Sequence, residues 1–511
     1  MDKRGPMGAG EVIEPLYVCV YVPEFPAQAL LRLRPDLERV PVVVLAGDAP
    51  LEQVCSMNAQ ALKLGVAQGM TRAELDAFPD LSVLRRSQPE ERNARAALLE
   101  AAGLFTPRIE VQPTASSAFV MVLDMTGTTR IFGPALQALN NILRAMAALR
   151  FHAQLAGSAN LPTSISIAPA ARKAPVFIPA GQEREHLRKL PLAALNLTPT
   201  QADTLALWGL HTLGELADLP EVELVVRLGQ AGKRLRLMAR GEHPHLMVPE
   251  EAVFTLEEFV AFDAPVEMLD SLLFVLGPML DQLLTRAQNR SYALASVTIK
   301  LGLDGGGEHE RTIKPALPVL QREVLLKLLH LDLQAHPPSA GILSIFVHAE
   351  PGDRSKVQLG LFAPQTPEPM RLDVTLARIA ALVGEDRVGR ARLLDTHRPD
   401  SFVMERFAVP NTVPKKDIPS THSVALRRCR PPLELHGQHD GRCLTTFFAH
   451  GKRYTVQEAY GPWRKSGDWW SSEVWSFEEW DVRATAQADT LLCLISHDRL
   501  RKRWQLEALY D

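Results

Sequence analysis

The fold of this chain is decided by two apolar segments, YVCVYVPEFPAQ at residues 17–28 and SAFVMVLDMTG at residues 117–127. Each predicts a strand, and the first leads directly into a helix. Further strands are predicted at residues 40–45 and 163–167, and helices with apolar residues at helical spacing at 90–104 and 135–150. This alternation predicts an α+β domain between residues 16 and 180.

The pattern changes at a Pro/Gly cluster near residue 180. From 183 to 250 the predicted elements are helical, and from 252 to 350 their order is strand, helix, two strands, helix and strand. The remaining chain divides into a connector with an amphipathic helix (351–395), a Pro-, Arg- and Lys-rich linker (396–432) and a unit (433–511) that carries six of the seven tryptophans. The sequence therefore predicts an α+β multidomain protein.

A helical hairpin is predicted at LALWGLHTLGEL, residues 205–216. Gly209 suits a left-handed helix end, and Thr212 suits the N-cap of the next helix. Such a hairpin can offer backbone N–H groups to a DNA phosphate, which makes Gly209, Thr212 and Gly214 candidate DNA contacts. The alternative is a plain turn between two helices.

A strand with clear alternation is predicted at residues 293–303. One face would carry Ala293, Ala295, Val297, Ile299 and Leu301, and the other Leu294, Ser296, Thr298 and Lys300. A hairpin partner at residues 310–314 adds two cations, so Lys300, Arg311 and Lys314 are candidate DNA contacts. The alternative is an ordinary half-exposed sheet, whose outer face is also polar.

Charge and composition limit the possible functions. The net charge is −3 and the isoelectric point is near 6.6, so we expect any DNA grip to be weak or borrowed from partners. No uninterrupted apolar run reaches the roughly 18 residues of a membrane span. The five cysteines are scattered, without a disulfide or zinc spacing. We therefore expect a cytoplasmic protein with no metal and no cofactor.

In order and spacing, the segments resemble the palm, fingers, thumb and little finger of Y-family (lesion-bypass) DNA polymerases, with the fingers at about residues 26–88. In that family, carboxylates on the two palm strands hold the divalent metals for nucleotidyl transfer. The matching positions here are occupied by Tyr21, Phe119 and Val120. The resemblance therefore implies a polymerase-like fold, with a βαββαβ little finger, that has been released from catalysis and has no catalytic residue.

A short peptide, QLGLF at residues 358–362, follows the little-finger-like region. It matches the Gln-Leu-x-Leu-Phe type of peptide by which bacterial proteins bind the sliding clamp. In this interpretation Gln358 pairs with backbone at the pocket rim, and Leu361 and Phe362 fill an apolar cleft next to Leu359. The alternative is an ordinary edge strand.

The C-terminal unit contains GPWRKSGDWW at residues 461–470. Strand-like segments on either side indicate a small β-rich module. Trp463, Arg464, Trp469 and Trp470 are candidate partner-binding residues, because exposed tryptophans often anchor protein interfaces. For each tryptophan taken singly, burial in the core of the module is the favoured interpretation, and stacking on single-stranded DNA is a further alternative.

The missing carboxylates, the clamp-type peptide and this tail together resemble the ImuB family, which consists of non-catalytic Y-family homologues in bacterial damage-induced mutagenesis. The resemblance covers residues 16–511, nearly the whole chain. It implies a scaffold for translesion DNA synthesis in the SOS response. Its implied partners are the sliding clamp, an error-prone C-family DNA polymerase, a RecA-like accessory protein of the ImuA type and, weakly, DNA, with no membrane association.

Two other functions remain open at this point. An active Y-family polymerase would need relocated metal ligands, with Asp124, Glu110 and Glu24 converging on one site. A DNA-structure-binding module without a clamp role would rely on the polymerase-like cradle alone.

Overall fold

The protein, described from a computed structural model, forms two compact units, Met1–Ala381 and Leu382–Asp511. Each unit has its own hydrophobic core, and the first has several. The structure describes residues 14–114, 117–195, 197–315, 317–353, 369–384, 387–396, 401–405, 426–470, 472, 474–487 and 489–510.

The first part of the larger unit contains the palm-like and fingers-like regions. Its elements are β1 Tyr17–Val22, α1 Phe25–Leu31, β2 Val42–Ala46, β3 Gln53–Met57, α2 Ala59–Lys63, α3 Arg72–Leu75, β4 Ser82–Arg85, α4 Gln88–Ala102, β5 Ile109–Gln112, β6 Phe119–Asp124, α5 Thr129–Phe132, α6 Ala135–Ala148, β7 Gln154–Ser158, α7 Leu161–Ile167 and β8 Val176–Ile178. The palm-like sheet has the strand order β5-β6-β1-β7-β8, and the fingers-like sheet has the order β3-β2-β4.

The two segments that open the sequence argument lie side by side in the palm-like sheet. β1 pairs antiparallel with both β6 and β7. Every side chain of β6 is buried, and the side chains of β1 are buried or half-buried. Because two separate cores cover the two faces of these strands, their sequences read as continuous apolar runs rather than as alternation.

One strand prediction is wrong, because residues 163–167 belong to helix α7 and the strand is the earlier β7. The alternation of β-branched residues at 163, 165 and 167 with Ser164 and Ser166 mimics a strand. Asn160 caps the helix by accepting a hydrogen bond from the Thr163 N–H at 3.1 Å. The Ser164 and Ser166 hydroxyls donate to carbonyls of the same helix, so they can be buried without other partners.

Residues 183–250 are predicted to be helical, and helices are found in this thumb-like region as far as Arg240, whereas residues 242–250 have no helix. The helices are α8 Glu183–Leu187, α9 Pro199–Leu207, α10 Leu213–Asp218, α11 Glu221–Leu228 and α12 Gln230–Arg240. Gly232 lies near the start of α12. A Cβ atom at this position would be 2.6 Å from the Leu224 carbonyl oxygen, which is too close. The absence of a side chain there lets α11 and α12 pack closely.

The little-finger-like domain has the predicted βαββαβ order. Its elements are β9 Glu257–Val266, α13 Leu269–Asn289, β10 Tyr292–Leu303, β11 Glu308–Ile313, α14 Arg322–Ala335 and β12 Ile342–Asp353, followed by α15 Pro369–Val383. The sheet order is β11-β10-β12-β9, and α13 and α14 pack on one face.

The predicted alternation of β10 holds only after residue 296. The pairing of β10 with β12 shifts register between Leu294 and Ser296. Leu294 is therefore fully buried in the core, and Ala295 is only half-buried, opposite to the prediction. A bulge inserts one residue, so the residues on its two sides follow different phases.

A buried charge cluster, formed by Arg32, Glu100, Glu258 and Arg286, joins the little-finger-like domain to the palm-like domain. The Arg32 guanidinium, just after α1, binds both carboxylate oxygens of Glu258 on β9. Arg286 on α13 donates to Glu258 at 3.3 Å and to Glu100 on α4 at 2.9 Å. Burial raises the pKa of the Glu100 carboxyl, and Arg286 opposes that rise. The four charges tolerate burial because each is paired.

The smaller unit is built from antiparallel strands. They are β13 Arg390–Leu393, β14 Phe402–Glu405, β15 Leu426–Leu435, β16 Gly437–His439, β17 Leu444–Ala449, β18 Lys452–Gly467, β19 Trp475–Ala486, β20 Asp489–Asp498 and β21 Arg503–Tyr510. β13 and β14 form a separate pair, and the other strands form one sheet in the order β15-β21-β20-β19-β18-β17-β16. The predicted β-rich C-terminal module is confirmed.

The cysteines and the helices agree with the composition. All five cysteines are free thiols. Burial raises the pKa of the Cys443 thiol to about 11 and that of the Cys493 thiol to about 12, so neither is a reactive thiolate at neutral pH. Within the described residues, the helices are too short or too polar to cross a membrane.

Candidate functional site

The palm-like sheet places the three expected acid positions side by side on β1 and β6, with Tyr21 and Val120 on one face and Phe119 on the other. In the β1–β6 pairing, Tyr21 lies opposite Val120, and Val22 lies opposite Phe119. Phe119 is 7% exposed and Val120 is 3% exposed. Tyr21 is half-buried and packs beside Val120 against the core on that side of the sheet. The three positions at which the resemblance led us to expect acids are therefore occupied by packed apolar and aromatic side chains.

Phe119 is part of an aromatic stack with Phe25 and Phe151. The ring centroids of Phe119 and Phe25 are 5.1 Å apart, and those of Phe25 and Phe151 are 6.4 Å apart. The Arg32 guanidinium lies 5.7 Å from the centre of the Phe151 ring. The stack thus runs from the former acid position to the buried charge cluster.

The three carboxylates required by a relocated metal site are engaged in different places. Glu24 accepts hydrogen bonds from the Ser56 hydroxyl at 2.7 Å and from the Met57 N–H at 3.1 Å. Asp124 pairs with Arg108 at 2.9 Å, at the opposite end of β6 from Phe119.

The third carboxylate, Glu110, binds His245 at 2.9 Å and the Val248 N–H at 3.0 Å. It lies on β5, opposite Val122 in the middle of β6. Among the residues that the structure describes, no three His, Cys, Asp or Glu side chains are grouped to hold a metal ion. Asp124, Glu110 and Glu24 therefore do not converge on one site.

The predicted helical hairpin has the expected local geometry. Gly209 has φ 71°, and the Leu210 N–H closes the end of α9 on the Leu205 carbonyl at 3.1 Å. Thr212 is the N-cap of α10 and accepts a hydrogen bond from the Glu215 N–H at 3.3 Å. Both conformational predictions are confirmed.

The backbone donors of this hairpin, however, already have partners within the protein. The N–H groups of His211 and Thr212 donate to the Glu215 carboxylate at 2.7 and 2.9 Å and lower its pKa. The Leu213 N–H donates to the Leu190 carbonyl, and the Gly214 N–H donates to the Arg188 carbonyl. A phosphate at this helix end would meet a carboxylate and occupied donors, which disfavours its binding.

The structure separates the three predicted cations of the little-finger-like sheet. Lys300 lies on the face away from the helices and pairs with Glu310 at 3.1 Å. Arg311 lies opposite the buried Ile299, on the helix-covered side, and pairs with Asp332 of α14 at 2.6 Å. Lys314 is exposed just past the end of β11.

The face away from the helices is acidic rather than basic. By register it carries four carboxylates on the strands of this sheet, and Lys300 is its one Lys or Arg among the described strand residues. Such a face repels DNA phosphates. The four acidic residues are Glu257, Glu308, Glu310 and Glu350.

The tryptophan motif folds as the end of the long β18–β19 hairpin. A Cβ atom at Gly461 would lie 2.7 Å from the Trp480 ring. A Cβ atom at Gly467 would lie 2.8 Å from the Trp475 ring. The Trp475 indole N–H donates to the Asp468 carboxylate at 2.9 Å. The two glycines are thus required by close approach of the buried tryptophans.

The exposed and buried tryptophans of this unit have separate positions. Trp469 and Trp470 are 80% and 71% exposed and form an edge-to-face pair 5.5 Å apart. Trp463 is 46% exposed, and Arg464 pairs with Glu478 at 2.9 Å. The general expectation of core burial is wrong for Trp469 and Trp470, because both follow the end of β18, past the strands that enclose the core.

The clamp-type residues Gln358, Leu359, Leu361 and Phe362 lie outside the described residues. The described chain ends before them at Asp353 with β12 and resumes after them at Pro369 with α15. The peptide therefore stays a prediction from the sequence.

Residues 20–176 match the model of the impB/mucB/samB family. Together with the architecture, this match gives the class of the protein: it carries a Y-family polymerase-like domain, followed by helical and βαββαβ domains and a β-rich unit. The predicted fold class is confirmed.

The chain as a whole is similar to Protein ImuB of Caulobacter vibrioides (strain NA1000 / CB15N). The two are 24% identical over 425 residues, which cover 80% of this chain and 89% of that protein. This finding confirms the predicted resemblance to ImuB. DNA polymerase IV of C. vibrioides (strain ATCC 19089 / CIP 103742 / CB 15) is 24% identical over 315 residues, 59% of this chain and 75% of that polymerase.

Similar solved structures include an insertion ternary complex of Dbh DNA polymerase, with 16% identity and a TM-score of 0.41. A Y-family DNA polymerase chimera of Dbh and Dpo4 has 15% identity and a TM-score of 0.40. Each comparison covers 66% of this chain and 98% of the other chain.

The sequence reasoning missed the buried charge cluster. Its members come from four segments, and Arg32 and Glu258 are 226 residues apart. Each is an ordinary charged residue in its local sequence, so no local pattern marks it. Pairing across the domain boundary becomes visible only once the chain is folded.

We expect the Trp469→Ala/Trp470→Ala double variant to keep wild-type thermal stability within about 0.5 kcal/mol, because both rings are in solvent. Trp480→Ala, which removes a ring that is 3% exposed, should cost about 3–5 kcal/mol. Circular dichroism of the full chain measures both. Equal losses would show that the pair belongs to the core.

Proposed function

We propose that the chain is a non-catalytic scaffold of bacterial translesion DNA synthesis and damage-induced mutagenesis, acting in the cytoplasm. It would link the sliding clamp to an error-prone C-family DNA polymerase and a RecA-like accessory protein. The observation that carries the proposal is the apolar centre of the palm-like sheet in a Y-family polymerase-like domain, where Tyr21 and Val120 pack on one face and Phe119 packs on the other. The similarity to ImuB over most of the chain supports it.

The chemistry of this centre favours loss of catalysis. Nucleotidyl transfer uses divalent metals that prefer oxygen ligands, and carboxylates supply both the oxygens and the negative charge. The side chains of Phe119 and Val120 have no oxygen, and a tyrosine hydroxyl stays protonated at neutral pH. Even a tyrosinate would be one ligand where several are needed.

We expect no magnesium-dependent primer extension by the purified chain, because its centre has no carboxylate pair. A Y-family polymerase assayed beside it on the same primed template provides the positive control. Extension that disappears in a Glu24→Gln variant would support the relocated metal site and contradict the scaffold.

DNA contact in this proposal is weak and supplied mainly through partners. Three observations support that view: the net charge of −3, the occupied donors at Thr212 to Gly214, and the acidic face of the little-finger-like sheet. A protein of this kind gains its place on DNA through tethering, which raises effective concentration without direct affinity.

The clamp contact would be made by the QLGLF peptide. A Gln358→Ala/Leu361→Ala/Phe362→Ala variant should lose clamp binding, since truncation of a buried anchor costs about 2 kcal/mol or more. Surface plasmon resonance on immobilised clamp measures the loss. A Gln365→Ala/Thr366→Ala variant in the same segment is the matched control. If the triple variant binds as well as the control, the tether lies elsewhere.

The exposed tryptophan pair is the proposed contact for a protein partner. Two adjacent indole rings in solvent offer large apolar area with few rotatable bonds, which suits an interface anchor. The cations near the pair are already neutralised: Arg464 pairs with Glu478, and Lys465 pairs with Glu479. This balance favours an apolar protein pocket over a nucleic-acid backbone.

We expect Trp469→Ala/Trp470→Ala to weaken binding of the C-family polymerase at least tenfold, the effect of losing about 1.4 kcal/mol. Clamp binding should be unchanged. Phe448→Ala, which removes another exposed aromatic ring of the same unit, is the control. Co-purification and titration calorimetry measure the effect, and an equal loss in the control would remove the tryptophan pair from the interface.

A further inference from the structure

Charged side chains at the boundary between the little-finger-like domain and the palm-like domain are almost completely buried, which is unusual for charged groups. In the buried charge cluster, Glu258 has no exposed surface, Arg32 and Arg286 are 2% exposed, and Glu100 is 3% exposed. Two members belong to each domain, and Glu258 is bound by an arginine from each side. The domain boundary therefore passes through the middle of a paired charge network.

Apolar and backbone contacts surround this network. Leu33, which follows Arg32, is 1% exposed and packs in the core of the little-finger-like domain. The outer edge of β9 is also covered: Arg34 donates to the Ala261 carbonyl at 3.1 Å, and the Ala261 N–H donates to Glu90 at 3.3 Å. An edge strand closed in this way has no free backbone groups at that point.

The connection from the thumb-like region is fixed on the palm-like domain as well. The Glu250 N–H donates to the Ile109 carbonyl at 2.7 Å, and Arg95 of α4 binds the Glu250 carboxylate. Ala252 packs against the palm-like core. The segment that would act as a hinge between the domains therefore has its own docking contacts.

Charge pairing of this kind defines one orientation. A rotation that separates Arg32 from Glu258 while both stay buried would leave uncompensated buried charges, which is strongly destabilising. Full separation would expose the network to water and also expose Leu33. Intermediate orientations are thus disfavoured more strongly than either end state.

We propose that the buried charge cluster locks the little-finger-like domain to the palm-like domain as one rigid body. A domain that closes around duplex DNA must change its position relative to the palm. Here the little-finger-like domain is fixed to the palm-like domain, and it keeps a single orientation whether or not DNA is present. This lock does not depend on the scaffold role, so the experiments that test one do not decide the other.

The test uses double electron–electron resonance on the full chain. Spin labels are placed at Ala147→Cys on α6 and Lys327→Cys on α14, both exposed positions. Cys55→Ser and Cys429→Ser remove the half-exposed native thiols. The lock predicts one narrow distance distribution, unchanged by addition of primed duplex DNA. A broad or double distribution in this parent protein overturns it.

The lock is then opened from the palm side. Arg32→Met/Glu100→Gln removes two members of the cluster and leaves the Glu258–Arg286 pair within the little-finger-like domain. We expect a second population at a different distance in this variant. The control, Asp281→Asn, breaks the half-exposed Arg322–Asp281 pair inside the same domain and should leave the distribution narrow.

A distribution in Arg32→Met/Glu100→Gln as narrow as in the parent protein would overturn the role of the cluster. Circular dichroism checks that the variant is folded. If it is not, the single Arg32→Met variant is measured in its place, since a methionine keeps the length and apolar stem of the arginine. The same two results then support or overturn the lock.

Discussion

Burial of charge at the boundary between two domains is the constraint on which the larger unit depends. Arg32 and Glu258 have fully buried side chains, and neither could be buried alone. Each domain therefore supplies charged partners for the buried charges of the other domain. The pairing holds β9 beside α1 and α4.

The same region connects to the changed polymerase-like centre. Phe119 stands where a metal-binding acid would be expected and packs on Phe25, which contacts Phe151. Arg32 lies over Phe151, so an aromatic stack fills the space between the centre and the buried charge cluster. A carboxylate at residue 119 without a metal would be a buried unpaired charge, and an aromatic ring avoids that cost.

The surfaces that could hold DNA have changed in a consistent direction. The donors of the α9–α10 hairpin are closed by the Glu215 carboxylate and by carbonyls, and the free face of the little-finger-like sheet has four carboxylates against one lysine. Most of the groups at the predicted DNA-contact positions are thus paired within the protein. In the smaller unit, Trp469 and Trp470 are 80% and 71% exposed and lie next to each other.

The sequence by itself determined the order of elements, because long apolar runs and turn residues report local conformation. It predicted a strand leading into a helix within residues 17–28, the left-handed Gly209 and the Thr212 cap, and it identified the positions of Tyr21, Phe119 and Val120. It failed at α7, where serines alternate with β-branched residues as in a strand, but Asn160 caps a helix and the serine hydroxyls donate to carbonyls of that helix.

Only the tertiary structure decided which side chains meet. The exposure of Trp469 and the burial of Trp480 differ because one follows a strand end and the other lies in the sheet core, and composition does not distinguish them. The placement of Arg311 against Asp332 likewise depends on strand register. The buried charge cluster assembles from segments far apart in the chain. The attraction between its charges offsets the loss of hydration only when all four are brought together away from water.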